Sequence, residues 1–195
     1  MVCCTQATPG GPGAEEAEAG KEAARAGHWA AAAECYQKAA EQGNSAGLSL
    51  LGECLYQGRG VPKSAAQARK LWKAAAESGE TIALLNLGDD CAARGDNGKA
   101  LLWYRRARQN AAAVPDIEYT PRVCLRLAQY ETRYTSRKKA LALAAEAKQA
   151  FTILQREHEP DADCWLQEAE QLLYELTHEP PTAPAAYNIE SLQLD

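Results

Sequence analysis

Small residues and aromatics recur along the chain at helical spacing. In "AGHWAAAAECYQKAAEQG" (26–43), "AAQARKLWKAAAESG" (65–79) and "GDNGKALLWYRRARQ" (95–109), a small residue is followed four positions later by an aromatic. An alanine comes three positions after that. The trios are Ala32-Tyr36-Ala39, Ala68-Trp72-Ala75 and Ala100-Tyr104-Ala107; a fourth, Ala140-Ala144-Ala147, lacks the aromatic. Steps of four and three place each trio on one face of an α-helix. Upstream of each trio, a second helical stretch carries Gly20, Gly52, Gly88 or Ala128, at gaps of 12, 16, 12 and 12 residues. The pattern is therefore a helix–turn–helix unit iterated four times, over about 14–43, 44–79, 80–112 and 119–157, with length changes absorbed in turns. One pair cannot bury its apolar stripe alone, but stacked neighbours can. The small residues should let paired helices approach, and the aromatic should fill the gap between neighbouring pairs. Past the repeats, 161–178 reads as a further amphipathic helix capping the stack, with Trp165, Ala169, Leu172, Leu173 and Leu176 on one face.

The flanks lack this period. Residues 1–13 read as a flexible N-terminus and 179–195 as a tail disordered when free. An apolar cluster at Ile189, Leu192 and Leu194 leaves the alternative that the tail folds back or binds elsewhere. At 195 residues the chain supports one domain with a real core. It has one Phe and abundant alanine, and no run of alternating apolar and polar residues bounded by turn signals. The expected fold class is all-α. No apolar stretch reaches the ~18 residues of a membrane span, and the N-terminus lacks a secretory pattern. The seven cysteines are Cys3, Cys4, Cys35, Cys54, Cys91, Cys124 and Cys164. The last five lie singly in apolar helical patterns, where a free thiol behaves as a small buried hydrophobe. With no export signal, a reducing cytosol is the expected location. Cys3-Cys4 is read as a disordered tip rather than an acylation site.

The second unit, "AGLSLLGECLYQGRGVPKSAAQARKLWKAAAESGE", resembles a Sel-1-like repeat. Its Leu51-Gly52 falls near the start, Tyr56, Gly58, Gly60 and Val61 in the turn, and Trp72-Lys73-Ala74-Ala75 near the end. The neighbouring units are closer to tetratricopeptide repeats. The resemblance covers about residues 14 to 150. It implies a right-handed α-solenoid whose first helices line a concave face, working as a non-catalytic protein–protein interaction module. The implied floor is Ala17, Lys21, Ala24 and Arg25, then Ala46, Ser49, Glu53, Tyr56 and Gln57, then Ile82, Leu85, Asp89 and Ala92. The fourth unit would add Arg122, Leu125, Gln129, Thr132 and Arg133, with Arg126 beside them. Some tetratricopeptide proteins hold a chaperone's C-terminal carboxylate with Lys, Asn and Arg here. Ser49 and Leu85 replace those residues, so that partner is not carried over.

Charge sharpens the expectation. The net charge is −5, yet 94–139 holds eleven Lys/Arg against four acids. This segment is read either as solvated helix faces or as a basic surface for an acidic partner near Arg122, Arg126 and Arg133. Nucleic-acid binding is not expected, nor is any cofactor or metal, since C-x-x-C and H-E-x-x-H are absent.

Three stretches imitate catalytic motifs. Gly58, Gly60 and Lys63-Ser64 suggest a phosphate loop. Pro62, however, supplies no N–H, and the loop follows a helix where the motif needs a strand. The alternative is a corner: Gly58 and Gly60 at positive φ, Pro62 blocking continuation and Ser64 capping the next helix. "GNSAG" around Ser45 matches a nucleophile elbow without its strand, and His28, His158 and His178 have no readable acid partner. Ser45 is read as an N-cap. "SRKK" at Ser136 fits S-x-x-K of penicillin-interacting enzymes, but S-D-N and K-T-G are missing. Ser136 too is read as a cap. Cysteine-rich Sel-1-like relatives linked with β-lactams pair cysteines within each repeat, and no unit here repeats that spacing. A serine-based β-lactam-binding enzyme is the alternative function, and a secreted bacterial effector a third.

Overall fold

The computed structural model describes residues 11–113, 119–134, 136–157, 159 and 161–178, with backbone alone at 132–134. The expectations for residues 1–10, Cys3 and Cys4 among them, and for 179–195 lie outside these. Every regular element among the described residues is helical: α1 Ala14–Arg25, α2 Trp29–Glu41, α3 Ser45–Gln57, α4 Ala65–Glu77, α5 Thr81–Ala93, α6 Asn97–Ala113, α7 Tyr119–Tyr134, α8 Arg137–Arg156 and α9 Ala162–His178. The expected all-α class is what the chain adopts. It forms two compact units, Met1–Leu87 and Gly88–Asp195, with the boundary inside α5.

In the first unit α1 packs on α2, α2 on α3 and α3 on α4. Each trio residue from the sequence is buried, from Ala32, Tyr36 and Ala39 to Ala68, Trp72 and Ala75. The aromatics reach the neighbouring pair, as expected, since Tyr36 clusters with Cys54 of α3 and Tyr104 meets Tyr130 of α7 at 5.1 Å, but they also fill space inside their own pair. Tyr36 lies on Gly20, where a Cβ would come 2.5 Å from its ring, and Trp72 lies on Gly52 at the same distance. Each aromatic thus occupies the space its own partner helix leaves by lacking a side chain. The last trio residue adds a second contact between pairs: Ala39 meets Gly47 of α3, whose missing Cβ would sit 2.6 Å from the Ala39 methyl. The indole of Trp72 donates to the Ser49 carbonyl at 3.0 Å, so its one polar group is satisfied inside the pair.

The α3–α4 corner follows from its residues. Gly58 (φ 77) and Gly60 (φ 71) take left-handed backbone. Gly58 and Arg59 N–H both return to the Cys54 carbonyl. Ser64 accepts from Gln67 N–H and starts α4. Gly60 passes so close to the Trp29 carbonyl that a side chain would collide, and the Arg59 guanidinium lies 4.5 Å over the Trp29 ring. The start of α3 differs from expectation. Asn44 is the cap, accepting from Gly47 N–H at 2.9 Å, while Ser45 is the first helical residue and donates to Glu80 at 3.0 Å.

In the second unit α6 packs on α7, α7 on α8 and α8 on α9. Tyr104 covers Gly88 as Trp72 covers Gly52. Where the fourth trio loses its aromatic, Ala128 stands for the glycine and Ala144 for the ring. Both are fully buried in one cluster with Leu125, Phe151, Ala169 and Leu172. A methyl on each helix replaces a ring against a bare backbone. Ser136 caps α8, accepting from Lys139 N–H. The buried face of α9 carries Ala162, Ala169, Leu172 and Leu176, with Trp165 and Leu173 partly buried beside them. Its outer face exposes Asp163, Gln167, Glu170 and Gln171.

Candidate partner-binding surface

The expected floor separates by position relative to each small residue. Three residues before it stand Ala17, Ser49, Leu85 and Leu125, and all four are buried. One turn before a close helix contact, a side chain points into the stack. Ser49 uses its hydroxyl on the Ser45 carbonyl at 3.0 Å. Ser49, Leu85 and Leu125 therefore offer a partner no surface, which corrects their place in the floor; Ile82 is buried as well. One residue after each small residue stand Lys21, Glu53, Asp89 and Gln129, all partly exposed.

In the first unit, Glu53 accepts from Gln57 at 3.1 Å, and Tyr56 leans on Trp72 with ring centroids 5.2 Å apart. In the second unit the polar groups join into a chain across first helices. Tyr104 donates to Asp89 at 2.6 Å. Asp89 faces Arg126 at 3.5 Å, and Arg126 reaches Glu168 of α9 at 2.7 Å. Gln129 donates to the same Glu168 oxygen at 2.8 Å and accepts from Arg126 at 3.2 Å. Burial works against the Arg126 charge, but Asp89 and Glu168 outweigh it and hold the guanidinium above its ordinary pKa. Burial, then the Asp89 carboxylate, pushes the Tyr104 phenol up.

Arg122, one turn before Arg126, behaves differently. Its guanidinium lies 4.9 Å over the Trp165 ring and 5.6 Å over Tyr119. Its buried Nε meets no acceptor, and no carboxylate among the described residues lies within ion-pair distance. Arg126 touches the same indole at 5.2 Å. Trp165 thus carries two cations, one neutralised by two acids and one not. Arg133 shares α7, and its side chain lies outside those described.

Much of the basic segment is spent inside the unit. Arg94 pairs with buried Asp90, Arg105 with buried Glu131, and Arg108 with Glu146, each at 2.8 Å. Arg137 donates to the Leu176 carbonyl at 2.9 Å. Arg105, Arg108, Arg126 and Arg137 thus tie α6, α7, α8 and α9 together. Of the three arginines the sequence offered to an acidic partner, the structure engages Arg126 and gives Arg122 no counter-charge among the described residues. Sequence reasoning treated Trp165 as core and missed Glu168. Ala169 falls about one repeat length after Ala128, which was the available sign that α9 stands as the first helix of a further pair.

The catalytic look-alikes are structural in their geometry. Ser64 and Ser136 hold helix starts, and His178 stacks on Tyr174 at 4.2 Å with both rings exposed. His158 lies outside the described residues. Cys54 and Cys124 are buried, and burial raises their thiols to about 11 and about 12. Cys91 is buried too, but Cys35 is only partly so and Cys164 is exposed, against expectation. No group of three His, Cys, Asp or Glu that could hold a metal, and no helix long and apolar enough to cross a membrane, occurs among the described residues.

Residues 30–44, 45–80 and 82–110 match the family model of the Sel1 repeat. None of the curated proteins matches the chain. Among solved structures, the chain is similar to c5321, a protective antigen of uropathogenic Escherichia coli displaying an SLR fold. The identity is 22% and the TM-score 0.55, over 81% of this chain and 37% of that one. It is also similar to a Sel1 repeat protein from Oxalobacter formigenes, at 21% identity and TM-score 0.51, over 82% of this chain and 73% of that one. At these identities the likeness carries the fold, an all-α architecture of helical repeats. The chain thus spans well under half the length of the first of these structures.

Proposed function

We propose, from the premise that this chain is a Sel1-like repeat protein, that it binds an acidic protein segment on the face built by α7 and α9. The Sel1 repeat is generally a protein-interaction module and typically a non-catalytic scaffold. The observation that carries the finer reading is Arg122. The Arg122 guanidinium lies 4.9 Å over the Trp165 ring and, among the described residues, has no carboxylate within ion-pair distance. A partner's Asp or Glu would supply that counter-charge, since a guanidinium fork suits two-point contact with a carboxylate. Neighbouring Arg126 cannot play this part without giving up Asp89 and Glu168.

The test is affinity capture of the native partner by the full chain and two charge reversals. Arg122→Glu should weaken capture roughly tenfold or more, the equivalent of ~1.4 kcal/mol. Arg106→Glu, an exposed arginine on α6, should leave it unchanged. Equal capture by wild type and Arg122→Glu would remove the assignment. The non-catalytic reading is checked with a fluorescent penicillin, which should leave Ser45 and Ser136 unlabelled. Stable labelling at either would favour the β-lactam alternative.

A further inference from the structure

We infer that the surface around Arg122 has an occupant within the same chain: the acidic, apolar segment Tyr187–Asp195. This inference rests on the acid-binding reading above and names a competitor for that site. The segment's chemistry answers what the surface lacks. From Glu179 to Asp195 the sequence holds Glu179, Glu190 and Asp195 and no Lys or Arg. Ile189, Leu192 and Leu194 supply apolar side chains next to those acids. The surface offers a guanidinium with no counter-charge among the described residues, beside a partly buried indole, with Leu166 also partly buried on α9. Length permits the return. Trp165 and His178 are thirteen residues apart on α9, about 20 Å at helical rise. Residues 179–186 can span roughly 26 Å when extended, enough to bring Tyr187 back beside Trp165. Tethering raises the segment's effective concentration to about the millimolar range. An acidic partner binding at micromolar affinity must therefore displace it.

Two readouts on the full chain test this. In the first, the indole N–H resonance of Trp165, assigned through Trp165→Phe, is followed by NMR. The double variant E190K/D195K and the single variant Arg122→Gln should each move it, while Lys70→Glu on α4 should not. In the second, a synthetic peptide of residues 187–195 is titrated into each chain. The double variant should bind it at least tenfold more tightly than wild type, because its own segment no longer competes. Combining Arg122→Gln with E190K/D195K should abolish that binding. A Trp165 resonance indifferent to E190K/D195K, or equal peptide affinity for wild type and the double variant, would overturn the inference. Either result leaves the acid-binding reading to stand or fall by Arg122→Glu capture of the partner.

Discussion

At the scale of single residues, the glycines under the aromatics carry the most structural information per atom. A methyl at Gly52 would meet the Trp72 indole at 2.5 Å, and the indole is also held by the Ser49 carbonyl, so it has nowhere to go. Gly52→Ala should cost about 1–3 kcal/mol by overpacking, read as a lowered urea midpoint. Ala128, which already stands opposite Ala144 without an aromatic, is the internal contrast. The buried thiols and phenols define a second prediction. Cys54 and Cys124 rise from 9.0 to about 11 and about 12 through burial, and Tyr36 and Tyr104 are raised for the same reason. When the folded state holds protons that the unfolded state has released, stability falls with rising pH. The contribution of the two thiols is complete below about pH 9 and is lost between there and pH 12. Urea midpoints should therefore decline steadily above pH 9. Cys54→Ala with Cys124→Ala should flatten part of that decline, and an unchanged slope would contradict the burial argument.

At the scale of elements, helix starts explain the residues that first looked like chemistry. Ser64 and Ser136 each accept from the N–H three residues on, and Asn44 does so for α3. Replacing any of these with alanine should cost about 1 kcal/mol. Ser45→Ala should cost less than Asn44→Ala, because Ser45 lies within the helix and contributes only its bond to Glu80. Thermal denaturation of the four variants orders them directly. The shift of the α3 cap by one residue escaped the sequence because Asn and Ser stand side by side and both are good caps. Only the backbone shows that Asn44 is extended, at φ −72 and ψ 117, while Ser45 is already helical.

At the scale of the molecule, the chain of Asp89, Arg126 and Glu168 links α5, α7 and α9 within the second unit, and Arg122 stands beside it with no ion-pair partner among the described residues. Their variants should separate stability from recognition. Arg126→Ala leaves two partly buried carboxylates facing one another's charge, and should cost about 2 kcal/mol. Arg122→Gln should change stability by less than about 0.5 kcal/mol and act on binding instead. Calorimetry on both variants decides whether the division holds. The family match, three adjacent stretches ending at residue 110, includes Asp89 but none of Arg122, Arg126 and Glu168.

Spacing alone determines the helical repeats, the buried trios and the small residues that face them, because helix geometry makes steps of three and four equivalent to shared faces. It also identifies the α3–α4 corner, since positive φ and a missing N–H are properties of Gly and Pro themselves. Which aromatic lies on which glycine was decided by tertiary structure, because a period says what shares a face and not what faces it. The same holds for the arginines. Their charge is written in the sequence, but whether a guanidinium is free depends on carboxylates 37 and 42 residues away in the chain, at Asp89 and Glu168 for Arg126. Packing put those two acids on Arg126, while Arg122, against the same indole, has no carboxylate within ion-pair distance among the described residues.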